Sequence, residues 1–121
     1  MTIQDIAGDL VALCKAGQFA ASGEKYWADD VVSIEAGGPA GADPVSRGKD
    51  AVRGKSEWWA GAHDVHSVEV GGPYVNGDQF IVRFVMDVTV RDSGQRMTMD
   101  ETGLYTIKNG KIAEERFFYG G

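Results

Sequence analysis

One cysteine, three prolines and two histidines in 121 residues set the first limits. Cys14 alone cannot close an internal disulfide, which excludes a disulfide scaffold and a cysteine-rich zinc site. No apolar run approaches the ~18 residues of a membrane span. The opening stretch, Met1-Thr2-Ile3-Gln4-Asp5, is acidic and lacks a long apolar core, so no signal peptide is expected. Positive charge is scarce: Lys+Arg number 12 against Asp+Glu 18, a formal charge of -6. An acidic surface repels phosphate, so neither nucleic acid nor an anionic membrane is an expected partner. The phosphate loop, GxGxxG, HExxH, GxSxG and CxxC are all missing. His63 and His66 are three apart, which on a strand places them on opposite faces, so they share no metal. No metal and no cofactor is expected.

What remains is the composition of a folded chain, 43% hydrophobic and 25% charged. The length fits one domain, 1–121, able to hide roughly two thirds of its unfolded surface. A cytoplasmic location is the corresponding expectation. From Ile3 to Cys14 the apolar residues Ile3, Ile6, Ala7, Leu10, Val11, Leu13 and Cys14 form one helical face, which should stop at Ala16-Gly17. A shorter helix fits Gln18 to Trp27, and Val31 to Ala36 reads as a strand. Gly37 to Gly48 holds four glycines and two of the three prolines, a loop of the length used for lids and binding loops. A third helix is expected from Lys49 to about Ala62, with Ala51, Lys55, Trp58 and Ala62 on one stripe and Val52 and Trp59 beside it. After Asp64 the chain reads as antiparallel β. Gly71-Gly72-Pro73 interrupts its first strand, and Asn76-Gly77, Asp92-Ser93-Gly94 and Asn109-Gly110 turn it. Three helices followed by long hairpins make an α+β domain.

The informative residues are acids on apolar strand faces, because an unpaired buried carboxylate is costly. Glu101 shares its face with Met97, Met99, Tyr105 and Ile107. Glu115 shares parity with Ala113, Phe117 and Tyr119, and His66 with Val68 and Val70. Together these describe an aromatic-walled cavity with a few titratable groups, the usual form of a small-molecule site. Other roles stand beside this one. Glu101 and Glu115 could pair with basic groups at a rim, and His66 could be a satisfied structural histidine. A two-residue loop at Asn109-Gly110 would send Glu114 and Arg116 inward instead of Glu115. Trp58 and Trp59 diverge by about 100°, so one is core and the other a wall. Cys14 reads as packing.

Four segments in order then carry a resemblance: Ala16-Gly17-Gln18-Phe19, Tyr26-Trp27-Ala28-Asp29-Asp30-Val31-Val32, Arg47-Gly48-Lys49-Asp50-Ala51-Val52, and Asn109-Gly110-Lys111-Ile112 with Glu115 and Phe117-Phe118-Tyr119. Over nearly its whole length the chain resembles the nuclear transport factor 2-like superfamily, and within it the SnoaL-like and ketosteroid-isomerase-like proteins. The resemblance implies a cystatin-like cone, a bent antiparallel sheet wrapped around three N-terminal helices, with a pocket between them. It also implies a homodimer through the outer sheet face, here the face carrying Arg83, Val85, Asp87, Thr89 and Arg91. The general-base aspartate of the isomerases falls on Glu35 in a gap-free reading, or on Asp43 if 37–42 is an insertion. Their tyrosine donor matches Leu10 and their carboxylic acid donor Gly103, so 3-oxosteroid isomerisation is not expected.

Two function classes follow. One is a lyase, isomerase or hydrolase type of enzyme acting by acid/base catalysis on a small carbonyl-bearing metabolite. Its catalytic candidates are Glu35, Glu101, Glu115 and His66, and its substrate-binding candidates are Tyr26, Trp59, Phe84, Met86, Met99, Tyr105, Phe117 and Tyr119. The other is a non-catalytic module binding a small apolar molecule in the same pocket. A carboxylate pKa raised toward neutral favours the first class, and acids all neutralised by fixed internal partners favour the second.

Overall fold

The computed structural model describes residues 1–37 and 43–120. Helix α1 (Ile3–Lys15) begins at a capping box, in which the Thr2 hydroxyl accepts from the Asp5 N–H and the Asp5 carboxylate from the Thr2 N–H. Its buried stripe is Ile6, Ala7, Leu10, Val11 and Cys14, as the spacing of apolar residues predicts. Gly17, at φ +76°, takes the left-handed conformation that ends the helix. Helix α2 (Phe19–Tyr26) and strand β1 (Trp27–Ile34) follow directly. Short strand β2 (Val45–Arg47) lies inside the stretch expected to be loop, antiparallel to β1. The expectation of a lid there falls partly on 38–42, outside the described residues. Helix α3 (Lys49–Ala62) buries only Val52 completely.

Strands β3 (His63–Asn76), β4 (Gln79–Val90), β5 (Gln95–Lys108) and β6 (Lys111–Phe118) form the long hairpins. The sheet order is β2-β1-β6-β5-β4-β3. Every pairing is antiparallel except β1 with β6, which run parallel and bring the start of the chain's first strand to its last. The result is an α+β architecture, three helices against a bent six-stranded sheet. Alternation on β4 is regular: Phe80, Val82, Phe84, Met86 and Val88 are buried beneath the helices. Among the described residues no helix is long and apolar enough to cross a membrane.

Two irregularities decide what faces inward. The first is in β3, where the register to β4 shifts between Val65 and Ser67, leaving His66 as the extra residue of a bulge. The second is in β6. Asn109-Gly110 is a two-residue turn with both residues at positive φ, +54° and +76°, which pairs Lys108 with Lys111. Strict alternation from that turn would carry Ile112 and Glu114 inward. Ile112 is buried, but the register slips at Ala113, so that Ile107 pairs with Ile112 and Thr106 with Glu114. Beyond the slip Glu115 is the inward residue, 6% exposed.

Candidate functional site

A cavity of about 640 Å³ opens between α2, α3 and the concave face of the sheet. That size suits a small organic molecule. Ten of the candidate residues line it: Glu35, Trp59, Phe84, Met86, Met99, Glu101, Tyr105, Glu115, Phe117 and Tyr119. Two candidates do not. The β3 bulge turns His66 out of the alternation assumed for it; the side chain is exposed and its Nε2 meets the Thr89 hydroxyl at 2.7 Å. Tyr26 is buried, but its hydroxyl donates to Asp9, outside the cavity. The next residue, Trp27, takes the place expected for Tyr26, and His63 lines the cavity where His66 was expected. The His63 ring stacks on Trp59 with centroids 4.5 Å apart, and its Nδ1 lies 2.8 Å from the Trp59 carbonyl oxygen. Trp58, 62% exposed, stands at the rim, so both tryptophans of α3 border the space.

The acids fall into three environments. Glu115 is enclosed: Trp27 Nε1–H donates to its Oε1 at 2.6 Å and the Ser33 hydroxyl donates to its Oε2 at 3.0 Å. Burial pushes its pKa up, while the Trp27 bond, the Lys55 charge and the Ser33 bond pull it down. Glu35, at the end of β1, is half-buried and forms a 3.2 Å ion pair with Lys55 of α3. Lys55 also donates to the Ser33 hydroxyl and lies 5.4 Å from the centre of the Phe117 ring. Asp43 lines the cavity too, but it is exposed and accepts from the Val45 N–H.

Glu101 is the third case. Its strand partner is Phe84, and no described residue donates a hydrogen bond to its carboxylate. Burial raises its pKa to about 7, the Glu35 charge adds to the rise, and Lys55 opposes it. Tyr105, beside it on β5, is also raised well above its ordinary value, first by burial and then by the surrounding acids. The Cys14 thiol is pushed up to about 11 by burial, which leaves it an inert packing group. Among the described residues no three of His, Cys, Asp and Glu come together as a metal site requires.

The two positions that match the isomerase donors are closed to that role. Leu10 is core. At Gly103 an added Cβ would meet Tyr105 Cε2 at 3.0 Å and Phe117 Cε1 at 3.2 Å, so aromatic rings occupy the space a carboxylic acid would need.

Lys55, Ser33, Trp27 and His63 are the members of the site that sequence reasoning did not select. For Lys55 a signal existed. It lies three residues after Val52 and four before Trp59, a lysine on the helix face that carries the apolar residues. Ser33 and Trp27 carried none, because their partner Glu115 is 82 and 88 residues away.

The family profile described as a SnoaL-like domain matches residues 1–119. No curated protein matches the chain. Among solved structures, a Mesorhizobium loti protein provisionally named a SnoaL-like polyketide cyclase is 57% identical, with 98% of this chain and 100% of that one covered and a TM-score of 0.92. A Xanthomonas campestris protein described as having a cystatin-like fold superposes with a TM-score of 0.78 at 18% identity, covering 100% of this chain and 92% of that one. A Catenulispora acidiphila protein with a ketosteroid isomerase-like fold, in complex with trimethylamine, gives 0.71 at 16% identity, covering 98% and 88%. The last two speak to the fold alone. With the cavity, the bent sheet and the family match together, the chain belongs to the SnoaL-like domain family.

Proposed function

We propose that the cavity binds a small, largely apolar carbonyl compound and exchanges a proton with the carbon beside the carbonyl. Glu35 and Glu101 are the acid/base groups of this reading. The observation that carries it is Glu101, a carboxyl in an aromatic cavity without a hydrogen-bond donor among the described residues, where burial pushes its pKa up to about 7. A group poised near the working pH both gives and takes protons efficiently, a contribution of about 10²–10⁴-fold in rate. Glu35, 3.2 Å from Lys55, is the second carboxylate in the same space, placed to share the proton traffic with Glu101. Glu115 and His66 were catalytic candidates as well. Glu115 is held by two fixed donors and suits a supporting role, and His66 stands outside the cavity.

The test is exchange of α-protons for deuterium in a panel of small aromatic ketones, followed by NMR. Exchange above the buffer rate is expected, falling at least tenfold in Glu101→Gln or Glu35→Gln with folding retained. Ketone binding without exchange would select the non-catalytic reading, which the fixed partners of Glu115 favour.

A homodimer through the outer sheet face belongs to the same proposal. Tyr74, Ile81, Leu104 and Phe118 fall on this face with the Arg83–Asp100 and Arg96–Asp87 pairs. Tyr74 and Phe118 are 66% and 49% exposed, an apolar area that a second copy would cover. Light scattering at micromolar concentration should give twice the chain mass.

A further inference from the structure

We infer that Lys55 is the group that holds the ligand's oxygen, aimed by a hydrogen-bonded chain running from Trp27 through Glu115 and Ser33, and that the site therefore selects neutral carbonyl compounds over carboxylates. The inference rests on the carbonyl reading above and names the residue that reading lacks.

The argument is a count of protons. Glu115 receives two donors, the Trp27 indole N–H at 2.6 Å and the Ser33 hydroxyl at 3.0 Å. Ser33 has one hydroxyl proton, and it is committed to Glu115, so toward Lys55 the hydroxyl can only accept. Lys55 carries three N–H protons. One goes to Ser33, and Glu35 lies 3.2 Å from the ammonium as an ion pair on another side. At least one N–H has no acceptor among the described residues, on a side chain that lines the cavity and is 22% exposed. The Phe117 ring covers one flank of the ammonium without using a proton. The buried chain thus fixes one direction of the donor, while the Glu35 carboxylate and the Phe117 ring bound two further sides and leave the cavity side for a ligand.

Charge decides what the free N–H meets. Glu35 already balances Lys55, and Glu101, Glu115 and Asp43 also line the cavity. A ligand entering with a full negative charge is repelled by these acids. A neutral carbonyl is not, and it gains charge on oxygen only as a proton leaves its α-carbon, next to the ammonium. Glu115 is in this scheme a positioning residue, since it acts on the ligand only through Ser33 and Lys55.

Acetophenone carrying a ¹³C-labelled carbonyl, with benzoate as its charged counterpart, tests the inference by infrared spectroscopy and binding titration. In the wild type the carbonyl stretch should move to lower frequency on binding, and benzoate should bind at least tenfold more weakly at neutral pH. Lys55→Met should abolish the frequency shift and weaken acetophenone about tenfold, the worth of one charge-assisted hydrogen bond. Lys55→Gln serves if that variant does not fold. Glu115→Gln must set an amide NH₂ against the Trp27 N–H or the Ser33 hydroxyl, both donors. Ser33 then turns, and the shift should shrink although the ketone still binds. An unchanged shift in Lys55→Met, or benzoate binding as tightly as acetophenone, overturns the inference and leaves the ketone-binding cavity standing. If no aromatic ketone binds the wild type, the carbonyl reading and the inference fall together.

Discussion

Replacing Glu101 with glutamine should remove a pH dependence from the stability of the fold. In the unfolded chain this carboxyl titrates near its ordinary 4.5, and in the folded protein at about 7. Between those values the folded state keeps a proton that the unfolded state has lost, so the gradient has a definite sign. Stability is fully present below about 4.5, declines as pH rises toward 7 and is level above it. The displacement corresponds to about 3 kcal/mol. For a chain of this size that is a Tm change on the order of 10 °C. Glu101→Gln keeps the shape and cannot ionise. Its stability relative to the wild type should therefore grow from pH 4.5 to 8, by about 3 kcal/mol. The slope carries the test, because a constant offset from burying an amide adds equally at every pH. Urea unfolding at half-unit pH steps supplies the curve, and a ¹³C carboxyl titration of Glu101 supplies the midpoint. Parallel stability curves for the two proteins, with a Glu101 midpoint between 4 and 5, would refute the reasoning from burial and the Glu35 charge.

Other perturbations probe the surroundings. Glu115→Ala strands the Trp27 N–H and the Ser33 hydroxyl in a buried space, and should cost about 2–4 kcal/mol in denaturant unfolding. Gly23→Ala sets a Cβ against the Trp27 indole, inside van der Waals contact; the ring must move, so a loss of about 1–3 kcal/mol and altered tryptophan fluorescence are expected. Cys14, with its thiol raised to about 11, should resist a thiol reagent in the native protein and react only at the rate of unfolding. Asp100→Ala breaks an exposed pair with Arg83 and should change the stability of the isolated chain by less than about 1 kcal/mol.

Much of this fold is legible in the sequence because its signals are local. The capping box and stripe of α1, the alternation of β4 and the paired positive-φ residues of Asn109-Gly110 each act within a few positions. The site is less legible because single-residue slips reassign whole faces. At β3 the parity argument selected His66, and the bulge gives the inward place to His63 instead. At β6 the same kind of argument reached Glu115 although the turn has two residues, since the slip at Ala113 offsets the turn's parity. Neither bulge has a proline or glycine to announce it; backbone hydrogen bonds to the neighbouring strand fix both. Lys55 was visible on its helix face but lacked a visible partner, because Glu35 and Ser33 come from a strand twenty or more residues earlier.

The parallel contact between the first strand and the last has a consequence for how the protein is made. Trp27 and Glu115 are joined across 88 residues, and Ser33, Lys55 and Glu35 are fixed through that junction. While the chain is being synthesised, the helices and the central hairpins can form as they emerge, but the charged end of the cavity has no floor until the final strand leaves the ribosome. The nascent protein therefore carries an open apolar basin, and a chain stalled before Lys111 would leave Tyr105 without the Phe117 ring that packs edge-on against it. Quality control that reads exposed aromatic surface would recognise such a chain, whereas one that carries β6 covers the ring with a strand of eight.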